Sequence, residues 1–339
     1  MLESRTGFPR PDIHTRVRRS FRHAGSMNPL RVIADTRGVF LRSDARDVGY
    51  DDKAIAAAVR ARLWVRVRRG AYTFRDIWES NDPVGKHRIL SRAVLRSLGD
   101  DVALSHTSAA LEHECATWDA DLTRVHVTRL DGGAGRTEKD VIHHEGRCLA
   151  GDIVEKDGLQ MTSPVRSVIE TATLTSVESG LVTVDSALHR DLFDPEQLTR
   201  RFRAMERWPH TQKVHVVVGL ADGRSESVGE SRSRYLCWSH GLSAPEPQFH
   251  VYDEHGTLIG ITDFAWPDHR LLGEFDGKVK YGRLLNPDEK PEDAVFREKR
   301  REDRLREITR WTMVRLTWSD LYRSADTAAR IRRLMTLAA

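Results

Sequence analysis

The chain has 339 residues and a mass of 38.6 kDa, longer than one ordinary domain and suited to two or three. With 39% hydrophobic and 31% charged residues, and no run of about 18 apolar residues, its composition excludes both a wholly disordered chain and a membrane-spanning helix. The net charge of +4 is uneven: residues 1–78 carry 17 Lys and Arg against 8 Asp and Glu, and the rest carries 37 against 42.

A basic front on a mildly acidic body points to a polyanionic partner for the first 78 residues, nucleic acid above all. Arginine outnumbers lysine 45 to 9, so part of this basicity is the ordinary character of an Arg-rich surface. The N-terminus has basic residues but no apolar stretch, which gives no signal peptide. Three scattered cysteines, Cys115, Cys148 and Cys237, form no C-x-x-C motif. The expectation is a cytoplasmic chain without disulfides and without membrane contact.

Residues 1–27 read as a disordered basic arm, with Pro9, Pro11 and the run Arg16, Arg18, Arg19, Arg22 but no apolar periodicity. Met27, just before the first helical pattern, is an alternative start. Asn28 followed by Pro29 makes an N-cap and first helical position, and Leu30, Ile33 and Ala34 supply an apolar face up to Gly38. Ser43 is placed to cap a short helix that ends at Gly49. Asp51 or Asp52 then caps a third helix, Lys53 to Leu63, with Ile55, Val59 and Leu63 inward. Trp64 to Tyr72 alternates and turns at Gly70, as a small β-hairpin does. Three short helices and a basic hairpin over residues 28–78 predict a winged helix-turn-helix.

A helix fits the major groove of DNA, and a basic hairpin can lie along the flanking backbone. Lys53, Arg60 and Arg62 fall on or just after the third helix, and Arg66, Arg68 and Arg69 on the wing; these six are the expected DNA contacts. The third helix is rich in alanine (Ala54, Ala56, Ala57, Ala58), which favours backbone positioning over a rich base code. Winged helices also serve as protein-docking modules, the alternative reading here. Residues 38–74, through Gly49, Val59, Leu63, Trp64, Arg69, Gly70 and Tyr72, resemble the N-terminal winged helix of the AbiEi family. Its members are antitoxins of bacterial type IV toxin–antitoxin systems that repress their own promoter. The resemblance implies DNA as a partner and a cognate toxin as a second one.

Residues 79–222 predict an α/β middle domain, with helices at 84–98, 105–113, 164–172, 177–189 and 195–206 and short strands at 125–127 and 141–143. The AbiEi resemblance continues weakly through "SHTSAAL" and "TSPVRSVIE". Gly132-Gly133-Ala134-Gly135 lacks the Gly-Lys-Ser/Thr ending of a phosphate loop. His106, His113, Cys115, His143, His144 and Cys148 can be gathered into a zinc set on paper. No pair has a finger spacing, so satisfied histidines in core or surface are the expectation.

From residue 223 to 339 the order reads α-β-β-β-α-β. Acidic residues stand where apolar ones belong: Asp263 in "IGITDFAW", and Glu274, Asp276 and Lys278 spaced by two, hence on one face of a strand. Carboxylates that hold magnesium or manganese beside a lysine are what metal-assisted phosphodiester hydrolysis uses. The segment resembles the PD-(D/E)XK nucleases, closest to their very-short-patch-repair-like branch, through "EFDGKVKYG", "FREKRREDRLRE" and "VRLTWSDL". The resemblance implies Asp263 and Glu274 as metal ligands, Glu230 (with Glu226 as second choice) as the acid of the preceding helix, and Asp276 and Lys278 around the catalytic position. Asp276 occupies the usual lysine place, and Lys278 supplies its charge from one pleat further on. Lys299, Arg300 and Arg301 would hold phosphates. The expected function is a DNA-binding, metal-dependent endonuclease; the alternative is a transcriptional repressor of the antitoxin kind whose nuclease fold is inert.

Overall fold

The computed structural model describes residues 28–277 and 291–338, with residues 291–299 and 338 as backbone only. The expected basic arm, Lys278 and the side chain of Lys299 lie outside the described residues. The chain divides into two compact units, residues 1–109 with 121–163 and residues 110–120 with 164–339. The segment 79–222 therefore contributes to both.

The first unit opens with helix α1, Pro29–Arg37, where Asn28 Oδ1 accepts from the Leu30 amide at 3.0 Å and Gly38 ends the helix at φ 73°. Strand β1 (Phe40–Leu41), helix α2 (Arg42–Asp47) and helix α3 (Asp52–Arg60) follow. The cap expected at Ser43 is instead made by Asp44, whose Oδ2 accepts from the Leu41 amide at 2.6 Å. Asp51 caps α3 through the Ala54 amide at 2.7 Å.

Helix α3 stops three residues before the expected Leu63. Arg62 takes a left-handed φ of 56°, which breaks the helical run, and Leu63 is left 42% exposed rather than inward. Strands β2 (Trp64–Arg68) and β3 (Ala71–Phe74) form the hairpin around Arg69-Gly70, in a sheet of order β1-β3-β2. Trp64 is buried against Phe40, Tyr50, Tyr72 and Phe74, with ring centroids 4.8 to 6.3 Å away. This aromatic knot, with Leu30, Ile55 and Ala58, is the core on which the three helices and the wing are seated.

After helix α4 (Arg75–Ser80) comes α5, Pro83–Leu98, capped by Asp82 Oδ1 on the Gly85 amide at 2.7 Å. It packs Val94 and Leu95 on a six-stranded mixed sheet. The strands are β4 (Val102–Leu104), β5 (Val125–Arg129), β6 (Arg136–Thr137), β7 (Val141–His144), β8 (Ile153–Lys156) and β9 (Leu159–Thr162), in the order β6-β7-β5-β4-β9-β8. Helix α6, His106–Glu112, leaves directly from β4 and runs across the division of the chain.

The second unit begins with four helices, α7 (Pro164–Leu174), α8 (Val177–His189), α9 (Pro195–Met205) and α10 (Val214–Leu220). Their shared core holds Ile169, Val184, Leu188, Phe202, Met205 and Val217. Helix α11 (Val228–Ser239) follows, then strands β10 (Glu246–Tyr252), β11 (Leu258–Trp266) and β12 (Leu271–Asp276), helix α12 (Pro291–Thr309), strand β13 (Thr312–Thr317), and helices α13 (Trp318–Tyr322) and α14 (Ser324–Ala338).

The sheet has order β10-β11-β12-β13, antiparallel except for the parallel pair β12–β13. Alternation along β11 and β12 sorts its faces. Phe264, Trp266, Leu271 and Phe275 pack with Leu236 of α11 and Ile331 of α14, while Ala265 and Leu272 pack with Leu305 of α12. The contact with α11 is close: a Cβ on Gly229 would lie 1.9 Å from the Phe275 ring. Among the described residues no helix is long and apolar enough to cross a membrane.

Candidate nucleic-acid interface

Of the six basic residues expected on DNA, Lys53, Arg60, Arg62, Arg66 and Arg69 are exposed. None of them forms an ion pair among the described residues, so their charge is available to a phosphate. Arg60 ends α3, Arg66 stands on β2 opposite Tyr72, and Arg69 sits in the wing turn beside Gly70 at φ 78°. Arg42 braces the helix pair by donating from Nε to Asp52 Oδ1 at 2.7 Å and from Nη2 to Oδ2 at 2.5 Å. That bond holds the Asp52 carboxyl below its ordinary range.

Arg68 is the exception. The β2–β3 register shifts between Arg66 and Arg68, and the Arg68 side chain is mostly buried with its Nε 3.2 Å from Asp140 Oδ2. It is a structural ion pair within the first unit, and the wing presents Arg66 and Arg69 instead.

The acidic constellation is placed as the strand periodicity implies, in part. Asp263 precedes Phe264, which pairs with Gly273, and Glu274 follows Gly273, so the two acids stand one register step beyond that pair. Alternation puts both, with Asp276, on the face covered by α12. Asp263 Oδ2 accepts from the Phe275 amide at 2.7 Å.

Glu274 is buried, and two arginines meet it: Arg301 of α12 through Oε1, and Arg315 of β13 through Oε2 at 3.3 Å. Arg315 also binds Glu302 at 2.7 Å, and Arg301 donates to the Ile261 carbonyl at 2.9 Å. Magnesium would need these carboxylate oxygens and keep several waters. With guanidinium groups on both oxygens of Glu274, the residues as arranged do not fit that ion.

Glu230 has partners of its own on α11 and β10. It belongs to the N-terminal cap of α11: the N-cap Ser227 Oγ accepts from the Glu230 amide at 3.2 Å and donates to Glu230 Oε1 at 2.6 Å, and the Glu226 amide (2.9 Å) and Gln248 Nε2 (3.2 Å) donate to Oε2. The sequence signal for that role is Ser227 three residues before Glu230, and the partner role of Arg315 is signalled by its placement opposite Glu274 in the β12–β13 register.

Of the six residues in the paper zinc set, His106 and His144 do come together, joined by His126 of β5. His126 lies in a strand whose apolar neighbours mask it, and only the β5–β7 register reveals its place.

The first unit thus carries a winged helix with an exposed basic wing and helix end. Residues 29–75 match the family model described as "Transcriptional regulator, AbiEi antitoxin". The chain is 30% identical over 278 residues to "Uncharacterized protein MT2308" and to "Uncharacterized protein Rv2248" of two Mycobacterium tuberculosis strains, covering 81% of this chain and 96% of each of those. It belongs to the family of these mycobacterial proteins. The solved structure titled "Crystal structure of RV2827C protein from Mycobacterium tuberculosis" is similar with a TM-score of 0.37 and 18% identity, over 56% of this chain and 75% of that one.

Proposed function

We propose that the chain is a DNA-binding transcriptional regulator of the antitoxin kind, which seats helix α3 and the β2–β3 wing on duplex DNA. The observation that carries this reading is the match of residues 29–75 to the AbiEi regulator family. The basic groups Lys53, Arg60, Arg62, Arg66 and Arg69 stand exposed on the same winged helix. Alanines fill much of α3, so most of the affinity comes from phosphate contacts, with modest base readout. A cognate toxin is the protein partner this role requires.

The nuclease-like α-β-β-β-α-β segment from residue 223 to 339 works without catalysis in this reading, because Glu274 is satisfied by Arg301 and Arg315. Metal-dependent endonuclease activity is the competing reading, favoured by the shared face of Asp263, Glu274 and Asp276. One preparation separates the two. The full chain is incubated with plasmid and single-stranded DNA in magnesium, manganese or EDTA, and its binding to duplex from upstream of its own start codon is followed by gel shift. A retarded duplex without nicking is expected. Metal-dependent nicking that Glu274→Ala abolishes would establish the nuclease, and no retarded complex at low salt would sink the regulator.

A further inference from the structure

Three histidines from separate parts of the first unit meet at one end of its six-stranded sheet. In the parallel β5–β7 pair His126 stands beside Ile142 and Thr128 beside His144, so His126 and His144 share a face one step apart. His106 reaches the same place from the start of α6, directly after β4, and the Ser105 amide donates to the His126 carbonyl at 3.0 Å. One nitrogen from each ring lies within 4.8 Å of the others. The His106 and His144 rings stack with centroids 3.7 Å apart, and His126 Nδ1 is 2.8 Å from His144 Nε2.

The surroundings hold these rings in place. His106 has φ 50°, a left-handed backbone that non-glycine residues rarely adopt. Its Nδ1 is 2.9 Å from Ser105 Oγ, an outer hydrogen bond of the kind that fixes a ligand imidazole's tautomer. Ser108 Oγ accepts from the His126 amide at 2.9 Å and is itself 2.9 Å from His87 Nε2, whose Nδ1 lies 3.0 Å from the Leu122 carbonyl. His143 points to the other face of β7, with Nε2 3.2 Å from Glu138 Oε1. His106 and His126 are buried, whereas His144 is half-buried.

We propose that His106, His126 and His144 form a binding site for one divalent transition-metal ion of the zinc class. Imidazole nitrogens suit zinc, copper, nickel and iron, and three of them leave a fourth position of a tetrahedral zinc open to water or another ligand. Ligation needs unprotonated rings. Zinc–nitrogen bonds of about 2.0–2.1 Å set ligand nitrogens about 3.3 Å apart. The 2.8 Å His126–His144 contact then opens by about 0.5 Å, and separations of up to 4.8 Å close to the same value, through rotation of the rings on binding. Chain separations of 20 and 18 residues match no finger motif, which is why spacing conceals the site.

The test uses the full, untagged chain stripped of metal by chelator dialysis and titrated with Co²⁺, read by visible absorption and then by Zn²⁺ displacement. One Co²⁺ per chain, displaced by one Zn²⁺, is expected. His126→Gln with His144→Gln should weaken binding by at least about 100-fold, and His143→Gln should leave it unchanged. Where circular dichroism shows that the double variant fails to fold, His144→Asn alone, at the half-buried position, should still weaken it by at least about 10-fold. A wild-type chain without a stoichiometric Co²⁺ spectrum, or folded His144 variants that bind as tightly as wild type, would overturn the site.

Discussion

Replacing Arg234 by methionine is expected to lower the stability of the second unit by about 3–5 kcal/mol, the range for removing one partner of a buried ion pair. Arg234 of α11 donates from Nη1 to Asp185 Oδ2 at 2.7 Å and to Ser225 Oγ at 3.2 Å, and from Nη2 to the Leu220 carbonyl. Asp185 lies on α8, is fully buried, and also accepts from the Asp222 amide at 2.8 Å. One guanidinium therefore joins α8, the end of α10, the turn after it, and α11. Methionine keeps the stem but leaves the Asp185 carboxylate and the Leu220 carbonyl without that donor.

The chain has two units, so amide hydrogen exchange is the suitable readout, being local where a global melt is not. Protection over 177–189 and 228–239 should fall about 10²–10³·⁵-fold. A fall below threefold would mean that packing alone holds these helices.

Asp185 adds a pH dependence with a definite sign. Burial raises its carboxyl to about 6, against the lesser opposing pull of Arg234. The folded state then holds a proton that the unfolded chain has released between about pH 4 and 6. The stability contributed by this group is present below pH 4 and lost as pH rises through 6, by up to about 3 kcal/mol. Asp185→Asn should flatten that part of the profile.

The triple change Arg60→Ala, Arg66→Ala and Arg69→Ala is expected to weaken DNA binding by about 10²–10³-fold near 0.1 M salt. Each lost phosphate contact removes about 0.9 from the slope of log K against log salt, so the slope should become shallower by about 2–3. Loss should be uniform across sequences, as backbone contacts require. Arg68→Ala belongs to a different class: Arg68 pairs with Asp140 inside the first unit, so its loss should act on stability and spare the slope. A triple variant with the wild-type slope would place DNA on another surface.

Much of the fold is legible where capping and periodicity agree. Asn28-Pro29 and Gly38 bound the first helix, and Ser176 caps α8, whose Val177–His189 span matches the apolar spacing. The end of α3 is hidden because Arg62 enters the left-handed region with no glycine to announce it. Strands β8 and β9 are short and mixed in polarity. Their turn is marked in the sequence by Asp157-Gly158, which adopts φ 55° and 70°.

At the candidate sites, alternation puts Glu274 and Asp276 on one face, and the β11–β12 register sets Asp263 beside them. It is silent on what opposes them, and Arg301 and Arg315 come from elements 27 and 41 residues away. Spacing likewise fails for His106, His126 and His144, which the parallel β5–β7 pairing and the β4–α6 junction bring together.

The most direct test of the account is equilibrium binding of the full chain to duplex from immediately upstream of its own start codon, against a scrambled duplex, from about 50 to 200 mM salt. The regulator reading predicts tighter binding to the upstream duplex and affinity that falls linearly on logarithmic axes, with a slope of several units that the triple arginine variant reduces. Equal, salt-independent or absent binding at 50 mM would contradict it.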